Sequence, residues 1–199
     1  MKVHSNVLDL FSGTGSATRP FVDCGRHSVV HVDIQPPAEI RCDVRKLPRW
    51  VREYPWDFVW ASPPCEGFSI AGVPWHWRGF RPDHVARRAI SLFRWTLDFV
   101  TGLDAEWLIE NPVGLAREYN FGVTETVYYC SYGGVSKKPT DLWGNRRFGL
   151  ERPCGPHESA PSGSKRGIQG YARGDPRRGM VPRLLAEAVH RAVCPEPTP

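Results

Sequence analysis

The sequence predicts an α/β fold in which one parallel sheet is covered by helices on both faces. Short apolar segments alternate with helical ones along the chain. The chemically distinctive residue clusters directly follow apolar segments, which is where ligands bind in such sheets. The 199 residues are enough to bury one core, and no repeat or low-complexity tract divides them. We therefore expect a single domain over residues 1–199.

The first part of the chain supplies four predicted strands and two short predicted helices. Each strand is a short apolar run bounded by glycine, proline or polar residues. The strands are Val7–Phe11, Val29–Asp33, Ile40–Val44 and Trp56–Ala61, and the helices are Ala17–Cys24 and Arg45–Tyr54. Residues 66–82 are rich in Gly, Pro and Trp, so we expect no regular element there.

The second part begins with a longer helix. Apolar residues recur at helical spacing over Asp83–Thr101, and Asp83 is the expected N-cap. Further predicted elements are the strands Glu106–Ile109 and Thr124–Cys130 and the helix Val181–Val193. Residues 149–178 form a long segment rich in Gly, Pro and Ser, for which we predict no regular element.

The charge of the chain favours a polyanionic partner. The net charge is +5 and the sequence pI is about 9.0. Residues 145–178 hold eight basic and three acidic residues, which indicates a surface that faces phosphates; a merely solvated face is the alternative. Within this segment Lys165 and Arg166 are the best candidates for contact with a groove or a phosphate, and a surface loop is again the alternative.

The cysteines and the apolar runs point to a reducing compartment. Six cysteines are scattered without a C-x-x-C pair, and no apolar run approaches the roughly 20 residues that span a bilayer. We find no signal peptide and expect a cytoplasmic protein without a membrane partner. Cys154, His157 and Cys130 are possible zinc ligands, but a fourth ligand is missing, so we expect no metal.

A glycine loop after the first strand indicates a nucleotide-type ligand. Gly13 and Gly15 let the backbone approach a ligand, and Asp33 ends the next strand, where an acid binds ribose hydroxyls. A full G-x-G-x-x-G is absent, and Ser16 follows the second glycine, so a dinucleotide pyrophosphate is not the best fit. An adenosyl ligand without phosphates suits the shorter loop. Asp43 could meet the adenine amino group or cap a surface helix.

Two further clusters carry groups suited to covalent catalysis. In Ser62–Cys65, two prolines fix the backbone after a strand and present the Cys65 thiol rigidly, as a nucleophile requires. A buried cysteine in a stiff loop is the alternative. Glu110 leaves an apolar strand, and burying an unpaired carboxylate is costly, which argues for a chemical role. Beside the thiol it could exchange a proton with a substrate ring.

On these motifs the chain resembles the DNA cytosine-5 methyltransferases. Val7–Gly15 resembles their Asp-Leu-Phe-x-Gly-x-Gly motif, Ser62–Cys65 with Phe68–Ser69 their Pro-Pro-Cys motif, and Glu110–Asn111 their Glu-Asn motif. The order and spacing of these motifs along the chain agree with those of the family. Gly179–Pro182, followed by a predicted helix, resembles the last motif of the family. Lys138–Trp143 and His157–Pro161 with Gly163 resemble a compact, often phage-encoded branch.

The resemblance implies S-adenosylmethionine as cofactor, S-adenosylhomocysteine as its product and double-stranded DNA as partner. It implies that Cys65 forms a covalent adduct with a flipped cytosine and that Glu110 acts on ring N3, while residues 66–82 close over the base. The fold expected is a Rossmann-like methyltransferase sheet. The cofactor residues expected are Asp9, Phe11, Ser12, Gly13, Gly15, Asp33, Ile34, Asp43 and Pro63.

The chain departs from the family in two places. The Gln-x-Arg-x-Arg motif is absent, and Lys137 or Lys138 stands where its positive charge would fall, without an arginine fork. Only residues 145–178 remain for target recognition before the closing helix of residues 179–194, so we expect a site of about two base pairs. Expected DNA contacts are Ser69, Lys137, Lys138, Lys165 and Arg166. We expect a monomer acting in a bacterial or phage-infected cytoplasm.

Three alternatives stay open at this point. An enzyme that methylates an amino group normally has an aromatic residue after the prolines, so Cys65 favours methylation of carbon. A tRNA cytosine-5 methyltransferase would share the same motifs. A non-catalytic DNA-binding relative is a third alternative, although the presence of both Cys65 and Glu110 argues against it.

Overall fold

The computed structural model describes residues 4–119, 125–134, 136–150 and 176–195. These residues form a seven-stranded sheet and a separate two-stranded hairpin. The strands are β1 Asn6–Leu10, β2 Ser28–Asp33, β3 Ile40–Arg41, β4 Phe58–Ala61, β5 Trp77–Arg78, β6 Arg81–Pro82, β7 Glu106–Pro112, β8 Glu125–Tyr128 and β9 Pro139–Gly144. The order in the sheet is β3-β2-β1-β4-β7-β9-β8, and β5 pairs with β6.

The described residues also form five α-helices and several 3-10 turns. The α-helices are α1 Arg19–Asp23, α2 Arg49–Glu53, α3 Val73–His76, α4 His84–Thr101 and α5 Arg183–Val193. Asp83 caps α4 as predicted, since its carboxylate accepts a hydrogen bond from the Ala86 amide at 2.9 Å. Among the described residues, no helix combines the length and apolar character needed to cross a bilayer.

Helices cover both faces of the sheet, as the sequence predicts. Successive residues of a strand point to opposite faces, and Leu8 of β1 packs in a core with Phe93 of α4. Its neighbour Val7 packs in a separate hydrophobic core on the opposite face of the sheet, with Phe21 of α1 and Leu185 of α5. The sheet is therefore the middle layer of a three-layer α/β structure.

The sheet is mixed, which corrects the prediction of a parallel one. Strands β3, β2, β1, β4 and β7 are parallel, but β9 runs antiparallel to both β7 and β8. Strand β9 was not predicted, and its residues Pro139 and Asp141 are of types uncommon in central strands. Buried Asp141 is tolerated because it accepts hydrogen bonds from Arg117 and Thr126, the latter at 2.9 Å.

Several other elements differ from the sequence predictions; among them, β3 ends at Arg41 rather than Val44, and α2 begins at Arg49 rather than Arg45. Residues 66–82 do contain short regular elements, α3 and the β5–β6 hairpin. Strand β7 continues through Pro112, so Glu110 and Asn111 lie inside the strand rather than after it. The predicted strand Thr124–Cys130 is β8, which ends at Tyr128 and passes into a 3-10 turn over Tyr129–Tyr132.

The two chain segments that flank residues 151–175 are attached to the core. Glu125 is buried, and its carboxylate accepts hydrogen bonds from the amides of Phe148 and Leu150. On the other side, the Val181 amide donates to the Ser16 hydroxyl at 3.0 Å. The predictions for Lys165 and Arg166, and those for Cys154 and His157, lie outside the described residues.

Candidate active site

The carboxyl ends of four parallel strands meet at one edge of the sheet. Leu10 of β1 pairs with Val32 of β2 and with Ala61 of β4, and Ala61 pairs with Ile109 of β7. The glycine loop, Asp33 and the Pro-Pro-Cys loop therefore follow their strands at the level at which Glu110 lies inside β7. The strand order reverses between β1 and β4, and such switch points form ligand crevices in α/β sheets.

The loop that presents Cys65 is held from two sides. The Asn111 side-chain amide donates to the Pro63 carbonyl at 2.7 Å, which ties the loop to β7. The Cys65 carbonyl accepts hydrogen bonds from the amides of Phe68 and Ser69, at 3.2 and 2.9 Å. Cys65 itself is half-buried. The motif residue Asn111 thus positions the thiol loop from the neighbouring strand.

Glu110 lies beside the thiol in a small hydrogen-bonded network. It is 5% exposed, and its Oε1 accepts from the Tyr129 phenol at 2.8 Å. Lys138 Nζ lies 3.9 Å from the same oxygen and 4.2 Å from the centroid of the Tyr129 ring. A carboxylate, a phenol and an ammonium group therefore meet next to the Pro-Pro-Cys loop.

The charges of this network act on the thiol. Burial raises the pKa of Cys65, Lys138 lowers it and Glu110 raises it. Burial and the Glu110 carboxylate also raise the pKa of Tyr129 well above its usual value, so the phenol stays protonated and donates. The arrangement supplies a nucleophile and an acid–base group under a common electrostatic influence, which suits covalent addition to a heterocycle with proton exchange.

Of the two lysines predicted near the missing arginine motif, Lys138 enters the network. Its backbone has φ +24°, a conformation that a bulky residue rarely adopts, and its side chain is 9% exposed. Lys137 is exposed and lies 5.2 Å from the centroid of the Tyr128 ring. The strained backbone at the start of β9 therefore directs one specific lysine toward Glu110.

At the other end of the crevice, the glycine loop forms a turn against β2. Gly13 has φ +52°, and its amide donates to Asp33 at 3.0 Å. Gly15 has φ +70°, and a Cβ there would lie 3.3 Å from His31. Phe11 adopts φ +58° despite its bulky side chain. Two glycines and one strained aromatic residue thus set the shape of this loop.

Several groups around the glycine loop fit an adenosyl ligand. Among the described residues, Ser12 Oγ and one Asp9 oxygen are buried without a hydrogen-bond partner; buried polar atoms of this kind need an explanation, and a bound ligand supplies one. Asp33 accepts from Gly13 and from the Gln35 amide, and each of its oxygens keeps a lone pair for a hydroxyl. Ile34 is 61% exposed, which offers an apolar surface to a flat base.

Asp9 has an altered pKa at this end. It is fully buried, and its other oxygen accepts from the Thr18 hydroxyl at 2.7 Å. Burial raises the pKa of Asp9 to about 7, against the lowering effects of Thr18 and His31. Asp9 can therefore serve as donor or acceptor near neutral pH.

Two other predicted site residues have partners within the protein. Asp43 caps the 3-10 turn Val44–Lys46 and pairs with Arg45, which holds the pKa of Asp43 at about 2. The cap that the sequence suggested is therefore present, and contact with adenine stays a prediction. Ser69 is buried and its hydroxyl accepts from the Gly72 amide at 3.2 Å. Contact of Ser69 with DNA also stays a prediction.

Tyr129 is the residue of this site that sequence reasoning missed. It lies in none of the motifs, and the sequence placed it only within the predicted strand Thr124–Cys130. The 3-10 turn after β8 carries it to Glu110, and no periodic pattern signals such a turn.

Comparison with known proteins finds a viral relative of this chain. The chain is 28% identical over 200 residues to a probable DNA (cytosine-5)-methyltransferase of Frog virus 3 (isolate Goorha), covering 89% of this chain and 92% of the relative. That likeness supports the family the motifs indicate. No protein-family model matches the chain.

Proposed function

We propose that this protein is an S-adenosylmethionine-dependent DNA cytosine-5 methyltransferase with Cys65 as its nucleophile. The observation that carries the proposal is the joint placement of Cys65 and Glu110, with Lys138 acting on both, at the carboxyl edge of β4 and β7. The relative from Frog virus 3 supports the same activity. A purely structural thiol would not need a buried carboxylate beside it, because that carboxylate is costly to bury.

Each group in the network has a proposed task. The Cys65 thiolate forms a bond to carbon 6 of cytosine, and the ring π electrons shift so that carbon 5 becomes nucleophilic. Glu110 binds or protonates ring N3, which stabilises the charge that develops there. Tyr129 orients the carboxylate of Glu110, and Lys138 favours the thiolate. Once carbon 5 carries the transferred methyl group, its proton passes to water and the electrons of that bond form the carbon 5–carbon 6 double bond. The sulfur–carbon bond then breaks, Cys65 leaves as the thiolate, and Glu110 takes back any proton it gave to N3.

The glycine-loop end would hold the cofactor. Asp33 and Ile34 would bind its ribose and base, and Ser12 and Asp9 would meet its remaining polar groups, with Phe11, Gly13, Gly15, Asp43 and Pro63 as further neighbours. When bound, S-adenosylmethionine supplies the methyl group as an electrophile. The adjacency of β1 and β4 puts this end next to the Pro-Pro-Cys loop.

DNA would contact exposed side chains around the Cys65 thiol. Phe80 is 99% exposed at the tip of the β5–β6 hairpin, between the exposed residues Arg78 and Arg81. An aromatic side chain flanked by cations suits contact with phosphates and with the gap left by a flipped base. We assign residues 145–178 to target recognition and residues 179–194 to a closing segment that returns to the core.

A methyl-transfer assay with a labelled donor tests the proposal. We expect labelling of duplex DNA and a loss of more than about 10³-fold in Cys65→Ala, because no other group replaces the nucleophile. Cys42→Ser, at a half-buried cysteine of the β3 edge, is the matched control and should retain activity. Duplex DNA containing 5-fluorocytosine should trap a denaturation-resistant adduct with the wild-type protein.

Three outcomes would overturn parts of the proposal. Methyl transfer by Cys65→Ala at the wild-type rate would exclude the covalent mechanism. Preferential labelling of tRNA would replace the DNA assignment with an RNA one. Binding of duplex DNA without any methyl transfer would identify a non-catalytic relative. Bisulfite sequencing of DNA from expressing cells then gives the sequence context.

A further inference from the structure

A second cluster of chemically versatile side chains lies away from the sheet edge that carries the candidate active site. Cys24, His27 and His190 place three metal-ligating atoms within 4.8 Å of one another. The two imidazole rings face each other through their Nε2 atoms, which are 3.2 Å apart. Phe21 packs edge-on against both rings, with centroid distances of 5.6 and 4.7 Å. The cluster is therefore held in place by the core.

The sequence spacing of this cluster has the pattern of a metal site. Cys24-x-x-His27 follows α1, and His190-x-x-x-Cys194 closes α5. The Cys194 amide donates to the His190 carbonyl at 2.8 Å, so the two residues are one helical turn apart. The Cys194 thiol lies 3.9 Å from the Ser5 hydroxyl, and the Ser5 amide donates to His27. This thiol lies outside the 4.8 Å group that the other three ligand atoms form, so it would have to turn toward them to become a fourth ligand.

We propose that Cys24, His27, His190 and Cys194 form a structural zinc site. Two thiolates and two imidazoles are the ligands that zinc takes in tetrahedral structural sites. Zn–N bonds of about 2.0–2.1 Å put two ligand nitrogens about 3.3–3.4 Å apart in a tetrahedron, close to the 3.2 Å between the two histidines.

Zinc binding has a specific structural cost at His27. Its Nδ1 accepts a hydrogen bond from the Ser5 amide at 3.1 Å, so the proton of the neutral ring lies on Nε2. An ion at Nε2 moves that proton to Nδ1, and the Ser5 amide must then turn away. The site therefore predicts a change of His27 tautomer on zinc binding, which makes the inference testable in a way that bulk stability alone does not.

The site would join the two ends of the fold. Cys24 and His27 belong to the connection between α1 and β2, whereas His190 and Cys194 belong to α5 and its C-terminal cap. A bound ion would cross-link segments that are far apart in sequence and stabilise the docking of α5. This role is independent of methyl transfer, because none of the four residues lies in the candidate active site.

Metal analysis of the full chain tests the inference. We expect about one zinc ion per chain in the wild type after dialysis, and visible thiolate and ligand-field bands when Co²⁺ replaces it. Cys24→Ser and His190→Asn should lose the ion, whereas Cys42→Ser and His84→Asn, which change a cysteine and a histidine elsewhere, should keep it. Chelation should lower Tm by about 5–10 °C, and added zinc should restore it.

The wild-type protein alone is sufficient to decide the question if a variant does not fold. ¹⁵N NMR of the imidazole rings should report the proton of His27 on Nε2 without zinc and on Nδ1 with zinc. Absence of stoichiometric zinc together with absence of cobalt bands would overturn the inference. Zinc that is retained by Cys24→Ser and His190→Asn but lost on Cys154→Ser would place the metal elsewhere and would overturn it as well.

Discussion

The two ends of the candidate active site differ in how the protein holds their carboxylates. At the thiol end, Glu110 has Tyr129 and Lys138 as partners, and the Asn111 amide nitrogen ties the Cys65 loop to β7, although Asn111 Oδ1 is itself buried without a partner in the described part of the chain. At the glycine-loop end, Asp9 and Ser12 each bury an oxygen without a partner among the described residues. A bound ligand would supply the missing partners at the glycine-loop end, whereas Glu110 at the thiol end is positioned before any ligand binds.

Under the proposed function, this difference separates the chemical step from cofactor binding. Changes at the thiol end should alter the rate of the chemical step and its pH dependence, because the network there sets protonation states. Changes at the glycine-loop end should alter cofactor affinity and the stability of the ligand-free protein. The following predictions test that separation, from the largest expected effect to the smallest.

Glu110→Gln should have the largest effect. The amide keeps the shape of the side chain but cannot exchange a proton, so we expect kcat to fall by about 10²–10⁴-fold. Cofactor affinity should change little, as measured by calorimetric titration. Glu53→Gln, at an exposed glutamate of α2, is the matched control. A Glu110→Gln enzyme with normal kcat would remove the acid–base role.

Asp33→Asn should weaken cofactor binding without slowing the chemical step. Loss of a charged acceptor for ribose hydroxyls costs about 1.5–3 kcal/mol, which corresponds to a rise of about 10–100-fold in the cofactor Kd. At saturating cofactor, kcat should stay near the wild-type value. Asp98→Asn on the exposed face of α4 serves as control. An unchanged Kd would place the ribose elsewhere.

Lys138→Met should shift the pH dependence of the reaction. The ammonium group lowers the pKa of Cys65, so its removal raises that pKa and reduces the thiolate fraction at neutral pH. We expect a loss of about tenfold at pH 7 that diminishes as the pH rises. The pH–rate profile of methyl transfer measures this effect. Lys137→Met is the control and should leave the pH–rate profile unchanged. Equal losses in both variants would mean that the two lysines act by binding DNA rather than by lowering the pKa of Cys65.

Asp9→Asn should change the pH dependence of stability. The pKa of Asp9 is about 7 in the folded protein, against an ordinary value of 3.8, so the folded state holds the proton more strongly than the unfolded chain. This contribution to stability is complete below about pH 4 and is lost as the pH rises toward 7, with a slope of at most about 1.4 kcal/mol per pH unit. Denaturant unfolding of the cofactor-free protein from pH 4 to 8 should show that slope in the wild type and a smaller one in Asp9→Asn.

The sequence predicted the positions of the separate reactive groups better than it predicted their contacts. Cys65, Asp33 and Glu110 stand at the ends of apolar segments, and parallel strands bring such ends to one edge. The contact between Tyr129 and Glu110 depends on an irregular turn and on β9. Pro139 and Asp141 of β9 have poor strand propensity, and the partners that accommodate Asp141, Arg117 and Thr126, are distant in sequence.

The sequence also does not show which cysteines and histidines come together in the fold. Each pair of proposed zinc ligands is visible in the sequence as a short spacing, but the pairs are separated by most of the chain. The prediction of no metal considered Cys130, Cys154 and His157, which lie nearer to one another in sequence. The packing of α1 against α5 is a tertiary contact, and composition or periodicity does not indicate which two helices will meet.

The attachments on both sides of residues 151–175 have a consequence for protein engineering. Glu125 fixes the chain at Phe148 and Leu150, and Ser16 fixes it again at Val181. A segment whose two ends are anchored in this way can be replaced by segments of other sequence and length. The entropy cost of joining two fixed ends by a longer chain grows only slowly with the length of that chain. Libraries of this segment, selected for methylation of new sequences, would test the recognition role proposed for it while the rest of the fold stays constant.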